Sequence, residues 1–311
     1  MHIPDGMLEA RTWIPAWLAS AGLIAWALRR VRQTLAEGGI VLMAVMAALV
    51  FTLQMLNFPV AGGTSGHFSG GAAAAIVLGL WPAMAVMAAV VVVQAVFFAD
   101  GGITALGANM LTLAVVGPAI GAAIYRAAVR VRPTRRMKLA ASFASAWAAT
   151  MCAALAAGVL LWLSGRVPLG PALVAMGGWH TLIGVGEGAI TAGLIGYLLA
   201  VRPDLLAANE RDPAAARTVA AGFAVIALLG AVLSLFASAE PDGLEYVYQQ
   251  LGSAFEPVSV IASPMPDYVL PGVSNTALAG VLAGIVGTIV AGALVSALLA
   301  ALRGRATKDA E

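Results

Sequence analysis

The sequence predicts an all-α membrane protein. The expected fold is a polytopic helical bundle of about seven transmembrane helices, followed by a two-helix C-terminal unit with an extracytoplasmic loop. Three observations predict it. Apolar residues make up 61% of the chain and charged residues 10%, against about 45–50% and about 25% in a soluble domain. Apolar runs approaching the roughly 20 residues that a helix needs to cross a bilayer recur along the chain. Basic residues gather in clusters between those runs. The alternating segments of about 10 residues that mark a membrane barrel are missing, and a helical bundle is the other way to satisfy the backbone in lipid.

Taken in order, spans are expected near 12–28, 38–56, 70–80, 83–99, 104–125, 139–163, 173–201, 218–237 and 274–302. Arg29, Arg30 and Arg32 follow the first, and a run from Arg126 to Lys138 follows the fifth. Arg202, Arg211 and Arg217 follow the seventh, and Arg303, Arg305 and Lys308 follow the last. Lys and Arg stay on the cytoplasmic side. An outer N-terminus with nine spans and a cytoplasmic C-terminus puts 15 of the 17 basic residues inside. Residues 237–273 then lie outside, with five acidic residues and no Lys or Arg.

Residues 70–99 are too few for two full crossings, yet a single crossing would put the most basic loop outside. Two short helices turning at Gly79-Leu80-Trp81-Pro82 resolve the parity. A helix over 70–80 covers only about 16 Å at 1.5 Å per residue, so the preceding loop, 57–69, has to dip into the bundle. Irregular backbone at that depth needs protein or a cavity around it. The organisation expected is a membrane domain over 1–201, a cytoplasmic linker over 202–217 and an accessory domain over 218–311. No cleavable signal peptide is expected, since the first basic residue is Arg11 and no positive stretch precedes an apolar one. The single Cys152 allows neither an internal disulfide nor a thiolate cluster.

Of the three histidines, His2 and His67 fall on the outer face and His180 in the seventh span. His67 sits in Gly62-Gly63-Thr64-Ser65-Gly66-His67-Phe68-Ser69-Gly70-Gly71. Such glycines let the backbone approach a bound group closely; taken alone, the segment reads as a flexible loop with a solvated histidine. His2 adds a chelating option. The amine of Met1, a deprotonated His2 amide and the His2 imidazole close two fused chelate rings, and His67 can fill the fourth corner. Four nitrogens in a plane suit Ni(II) or Cu(II). The arrangement needs Met1 to be retained. His180 and Glu187, seven apart, share a helix face. They read either as support for the metal loop or as helix–helix hydrogen bonding. Asn57 and Asp100 stand at outer span ends within reach of the site; Asp100 reads equally as a solvated turn residue.

The segments Met1-His2-Ile3-Pro4-Asp5-Gly6-Met7-Leu8 and Gly62-Gly63-Thr64-Ser65-Gly66-His67 resemble the signatures of the CbiM/NikM family. These are the substrate-binding subunits of cobalt and nickel energy-coupling factor transporters. Gln94, Asp100-Gly101-Gly102-Ile103-Thr104, Leu106-Gly107-Ala108-Asn109, His180-Thr181-Leu182-Ile183-Gly184 and Glu187-Gly188 resemble it too. Met7 departs from the aromatic residue usual there. Near the C-terminus, Pro241-Asp242-Gly243-Leu244-Glu245 and Ser263-Pro264-Met265-Pro266-Asp267-Tyr268 resemble the NikN-type accessory component; without that context Pro-Asp-Gly is a plain turn. The resemblance implies metal ligands at Met1, His2 and His67, and Ni2+ or Co2+ as transported substrate. It implies a coupling transmembrane subunit and ABC ATPase subunits as partners, and a multi-pass location in a bacterial cell membrane. Apart from these and membrane lipid, no nucleic acid partner is expected.

Other classes fit less well. A cobalt uptake component for cobalamin synthesis stays open. A stand-alone secondary divalent-metal permease lacks the His and Asp five positions apart carried by some nickel permeases, and the spans hold few charges for proton coupling. A zinc protease would need His-Glu-x-x-His, which is absent, and no enzyme activity is expected. Lys138 and Lys308 lie in no phosphate loop, so the chain is not its own ATPase.

Overall fold

The computed structural model describes residues 1–34, 37–206, 237–252 and 260–308, with isolated positions at 221, 222, 225, 230, 232, 235 and 258. The expected span over 218–237 and the linker over 202–217 fall largely outside the described residues. Helix α1 (Ala10–Thr34) leads through α2 (Glu37–Gln54) to a hairpin of β1 (Asn57–Val60) and β2 (Thr64–His67). Short α3 (Gly71–Leu78) and longer α4 (Leu80–Phe98) come next. Then α5 (Leu106–Asn109), a π-helix (Met110–Val116) and α6 (Gly117–Val131) form one continuous rod. Helices α7 (Arg135–Leu163) and α8 (Leu169–Val201) pack along each other. The accessory part contributes α9 (Gly243–Leu251) and α10 (Thr276–Lys308).

Five described helices are long and apolar enough to cross a bilayer: Leu80–Phe98, Leu106–Val131, Arg135–Leu163, Leu169–Val201 and Thr276–Arg303. The apolar stretch Gly39–Gln54 is shorter, and α3 has only 8 residues. Helix α1 is 25 residues long, with an internal Pro15 and Arg32 in its last turn. Large apolar side chains project outward, among them Leu18 at 72%, Val174 at 76% and Ile289 at 65% exposure. Such a surface is costly in water and favourable in lipid.

Residues 70–99 divide at one residue. Gly79, with φ 89°, links the end of α3 to the start of α4, a conformation that glycine adopts without steric cost. The expected turn over 79–82 is therefore tighter, because Leu80, Trp81 and Pro82 already form the first turn of α4. Proline is tolerated there because those N–H groups have no helical partner. Every residue of α3 is buried. A Cβ on Gly121 of α6 would lie 2.6 Å from Ala72 Cα, the close backbone approach that small residues permit between membrane helices. The hairpin pairs Asn57 with His67 and Val60 with Thr64, and all four residues of β2 are buried. Two apolar clusters make the core. One joins α2, α3, α4 and α10 around Phe51, Phe98 and Met87. The other joins Met1, Ile3 and Met7 to Leu244 and Val247 of α9.

Candidate metal centre

The first eight residues run into the bundle and are held there by their backbone. The Asp5 carboxylate accepts hydrogen bonds from Ile103 N (3.0 Å), Thr104 N (2.7 Å) and Thr104 Oγ1 (2.6 Å). Asn109 brackets Ile3: its Oδ1 accepts from Ile3 N at 2.8 Å, and its Nδ2 donates to Ile3 O at 3.0 Å. Gly102 N also donates to Ile3 O, at 2.9 Å. A Cβ on Gly102 would fall 2.2 Å from Asp5 N, so this contact requires glycine. Arg166 donates to the carbonyls of Gly6 (3.0 Å) and Met7 (3.2 Å). The π segment begins immediately after Asn109, and such segments are frequent at functional sites.

His67 arrives on the hairpin. Directly after it, Ser69 N donates to Glu187 Oε1, and Ser69 O accepts from Gln54 Nε2 at 2.7 Å. The accessory segment lies along β2: Ser65 N donates to Pro241 O at 2.8 Å, and Ser65 Oγ to Glu240 O at 2.7 Å. Ser238 N donates to Asn57 O at 2.7 Å on the other strand. Asp242 then caps α9, accepting from Leu244 N (2.8 Å) and Glu245 N (2.9 Å), while Glu245 Oε2 accepts from Asp242 N at 3.3 Å. This capping box is what Asp-x-x-Glu at a helix start encodes.

The two histidine segments meet. The Met1 amine lies 2.5 Å from His67 Nε2, and the His2 and His67 rings stack at 5.5 Å with 14° between their planes. The amine also bonds the Asp242 carboxylate, whose Oδ2 is 3.9 Å from His67 Nε2. His2 Nδ1 faces Asp100 Oδ1 at 3.0 Å. Tyr268 donates to Asp100 Oδ2 at 2.5 Å and accepts from Gln94 Nε2 at 3.3 Å. His2 Nε2 and His67 Nδ1 are buried without a partner.

The charges suit a cation. Burial, with the neighbouring amine and His2, pushes the His67 imidazole down to about 3, so it is neutral at pH 7 and able to ligate. Burial opposes ionisation of Asp100, but the His2 ring and hydrogen bonds from His2 and Tyr268 hold its carboxyl below the usual range. The amine and His67 likewise outweigh burial at Asp242. Among the described residues no three His, Cys, Asp or Glu side chains converge as a metal cage.

Of the residues singled out from sequence, Met1, His2 and His67 come together. Asp100 touches His2, and Asn57 faces His67 across the hairpin. Glu187 anchors Ser69 rather than a histidine. His180 bonds Met176 O through Nδ1 at 2.8 Å, while its Nε2 lacks a partner. A Cβ on Gly243 would lie 2.8 Å from His180 Cε1, so the accessory motif packs directly on it. Leu244 of that motif is fully buried, and Pro241 lines the outer cavity. Sequence reasoning missed the contact of Asp242 with the Met1 amine and that of Tyr268 with Asp100. Its one available signal was the acidic, Lys- and Arg-free run over 237–273.

A helical bundle with outward apolar faces, holding two histidines and the terminal amine among carboxylates, is the architecture of a membrane protein with a cation site, and its relatives place it among metal transporters. Residues 2–205 match CbiM, described as the cobalt uptake substrate-specific transmembrane region, and residues 216–304 match the PDGLE domain. The chain belongs to the CbiM family and is a nickel/cobalt transport component of the membrane. It is 38% identical over 293 residues to a putative fused nickel transport protein NikMN of Archaeoglobus fulgidus, covering 91% of this chain and 94% of that one. It is 39% identical over 230 residues to the fused nickel transport protein NikMN of Rhodobacter capsulatus, covering 69% and 66%. A solved structure described as a truncated transition metal transporter superposes with TM-score 0.58 at 31% identity, covering 64% of this chain and 99% of that one.

Proposed function

We propose that this chain is the substrate-specific component of an energy-coupling factor transporter, capturing Ni2+ on the outer face of the membrane for ATP-driven uptake. A coupling membrane subunit and two ABC ATPases supply the drive, with the N-terminus and residues 237–273 outside and the C-terminus in the cytoplasm. Met1, His2 and His67 are the ligands. The observation that carries this reading is the 2.5 Å separation of the Met1 amine and His67 Nε2. Metal–nitrogen bonds of about 2.0 Å put adjacent corners of a square about 2.8 Å apart, so these two nitrogens already stand near corner spacing. Closing the second chelate ring through His2 Nδ1 requires that ring to turn from Asp100. Nickel is favoured over cobalt because the relative matched over 91% of this chain is named as a putative fused nickel transport protein, while two relatives named for cobalt match 40% and 66% of it.

The test is an extra residue before Met1. It moves the amine away from His2, so the fused rings cannot close, and nickel binding should be lost. Native-start protein should give a diamagnetic, yellow nickel complex, since a strong planar field pairs the electrons of a d⁸ ion. Equal affinity of the extended and native-start proteins would overturn the ligand assignment, and a paramagnetic complex would overturn the planar geometry.

A further inference from the structure

We propose that the accessory segment builds a carboxylate-lined vestibule over the metal centre, which draws hydrated divalent cations from outside and passes them to His2 and His67. The inference rests on the reading above and adds a second, outer site of different chemistry.

A cavity of about 640 Å³ opens beside the two histidines. Among the described residues five carboxylates line it: Asp100 from the membrane domain, and Glu240, Asp242, Glu245 and Asp267 from the accessory part. Among the described residues no Lys or Arg lines it. Its floor carries two ring nitrogens without a partner, on the same imidazoles whose other nitrogens, His2 Nδ1 and His67 Nε2, are the proposed ligands, and the water shell of an arriving cation can bond to them. His2 and His67 both line the cavity, at 8% and 9% exposure, and His2 Nε2 and His67 Nδ1 have no hydrogen-bond partner. Leaving buried polar atoms unpaired is unfavourable unless something else comes to them.

The vestibule and its floor differ in hardness and in grip. Glu240, Glu245 and Asp267 are exposed. Scattered exposed carboxylates attract a divalent cation without stripping its water. Imidazole and amine nitrogen are the better donors for nickel, while carboxylate and water suit magnesium and calcium. A cation therefore gains on moving inward, and the outer carboxylates release it readily. A cleft lined by one sign of charge raises association rates by about 10- to 1,000-fold, and the gain falls as salt rises. Because residues 240–267 supply four of the five carboxylates, the vestibule exists only with the accessory part in place.

The experiment compares nickel association with the full native-start chain and with its E240Q/E245Q/D267N variant, both in detergent and with nickel chloride. These three residues are outside the donor set, and amides keep their shapes. At about 10 mM salt, where the Debye length is about 30 Å, the variant should associate roughly tenfold more slowly. At about 1 M salt, where it is about 3 Å, the two rates should converge. Dissociation rates and the spectrum of the bound metal should match, which also reports an intact site. Equal association rates at low salt, or a change confined to dissociation, would overturn the vestibule. So would a wild-type association rate that does not vary with salt, a measurement that needs no variant. A paramagnetic complex in both proteins would instead refute the planar site, with the rate comparison still readable.

Discussion

The N-terminal segment and the hairpin each bring one histidine to the same point, and they are held in opposite ways. The backbone of the segment Ile3–Met7 is fixed by residues of the membrane domain, with Asn109 on Ile3, Thr104 on Asp5, and Arg166 on Gly6 and Met7, while Asp242 of the accessory part takes only the Met1 amine. The hairpin takes Gln54 and Glu187 at Ser69 from the membrane domain, but its strand edges are bonded by Ser238, Glu240 and Pro241. One donor is placed by contacts in the interior of the bundle. The other is placed partly by a segment some 170 residues further along, through hydrogen bonds of Thr64 and Ser65 to the carbonyls of Glu240 and Pro241. Disturbing the first should therefore cost more metal affinity than disturbing the second.

Gly102→Ala should have the largest effect of the substitutions that leave the ligands in place. Its Cβ would lie 2.2 Å from Asp5 N, and overpacking against backbone costs about 1–3 kcal/mol. We expect nickel affinity to fall about 100-fold by equilibrium dialysis, with helicity unchanged by circular dichroism. Wild-type affinity in this variant would break the comparison at its stronger side. Asn109→Ala comes next. It strands Ile3 N–H in the interior, a loss of about 1–3 kcal/mol, so affinity should drop at least about tenfold. Ser65→Ala removes only the bond to Glu240 O, worth about 0.5–1.5 kcal/mol, and should cost about threefold. If Ser65→Ala proves more damaging than Asn109→Ala, the hairpin, not the N-terminal segment, is the rigid member of the pair.

The last effect is on stability rather than on affinity, and concerns pH. Folding holds the His67 imidazole at about 3, below its ordinary 6.5, so the folded state resists its protonation. The stability this group contributes is complete above pH 6.5 and declines as pH falls from 6.5 toward 3, by up to about 1.4 kcal/mol per unit. His67→Gln, which does not titrate, should show a smaller drop in melting temperature between pH 7 and pH 5 than the wild type. Parallel curves would mean that His67 is reached by water.

The helical bundle was legible because apolar runs and basic clusters are local signals that repeat. The break within 70–99 was legible by a parity argument, which located it but not its form: Gly79 alone makes it, and of the two short helices expected only α3 is short, α4 being long enough to cross. His2 and His67 stood out because an N-terminal chelate and a glycine-flanked histidine are each written in a few adjacent residues. The strands Asn57–Val60 and Thr64–His67 were not legible: Pro59 and Gly66 are poor strand formers, and the pairing is secured by residues 238–242. Nor was the contact of Asp242 with the Met1 amine, because no periodicity links positions 241 apart. Asn109 and Asp5 could be read only as parts of motifs. Their work, bonding the backbone of a segment more than 90 residues away, leaves no pattern in spacing.

The burial of the Met1 amine has a consequence for how the protein matures. The amine is engaged by Asp242 and His67 within a residue that is only 6% exposed. An acyl group left on that nitrogen would remove its basic lone pair and crowd its contacts with Asp242 and His67. Where translation starts with formylmethionine, the formyl group therefore has to be cut away before the segment docks, and the methionine itself has to be spared. On the proposed ligand set, the ribosome-associated processing enzymes thus become part of this transporter's assembly, and an acetylated or formylated chain would lose one of its three ligands.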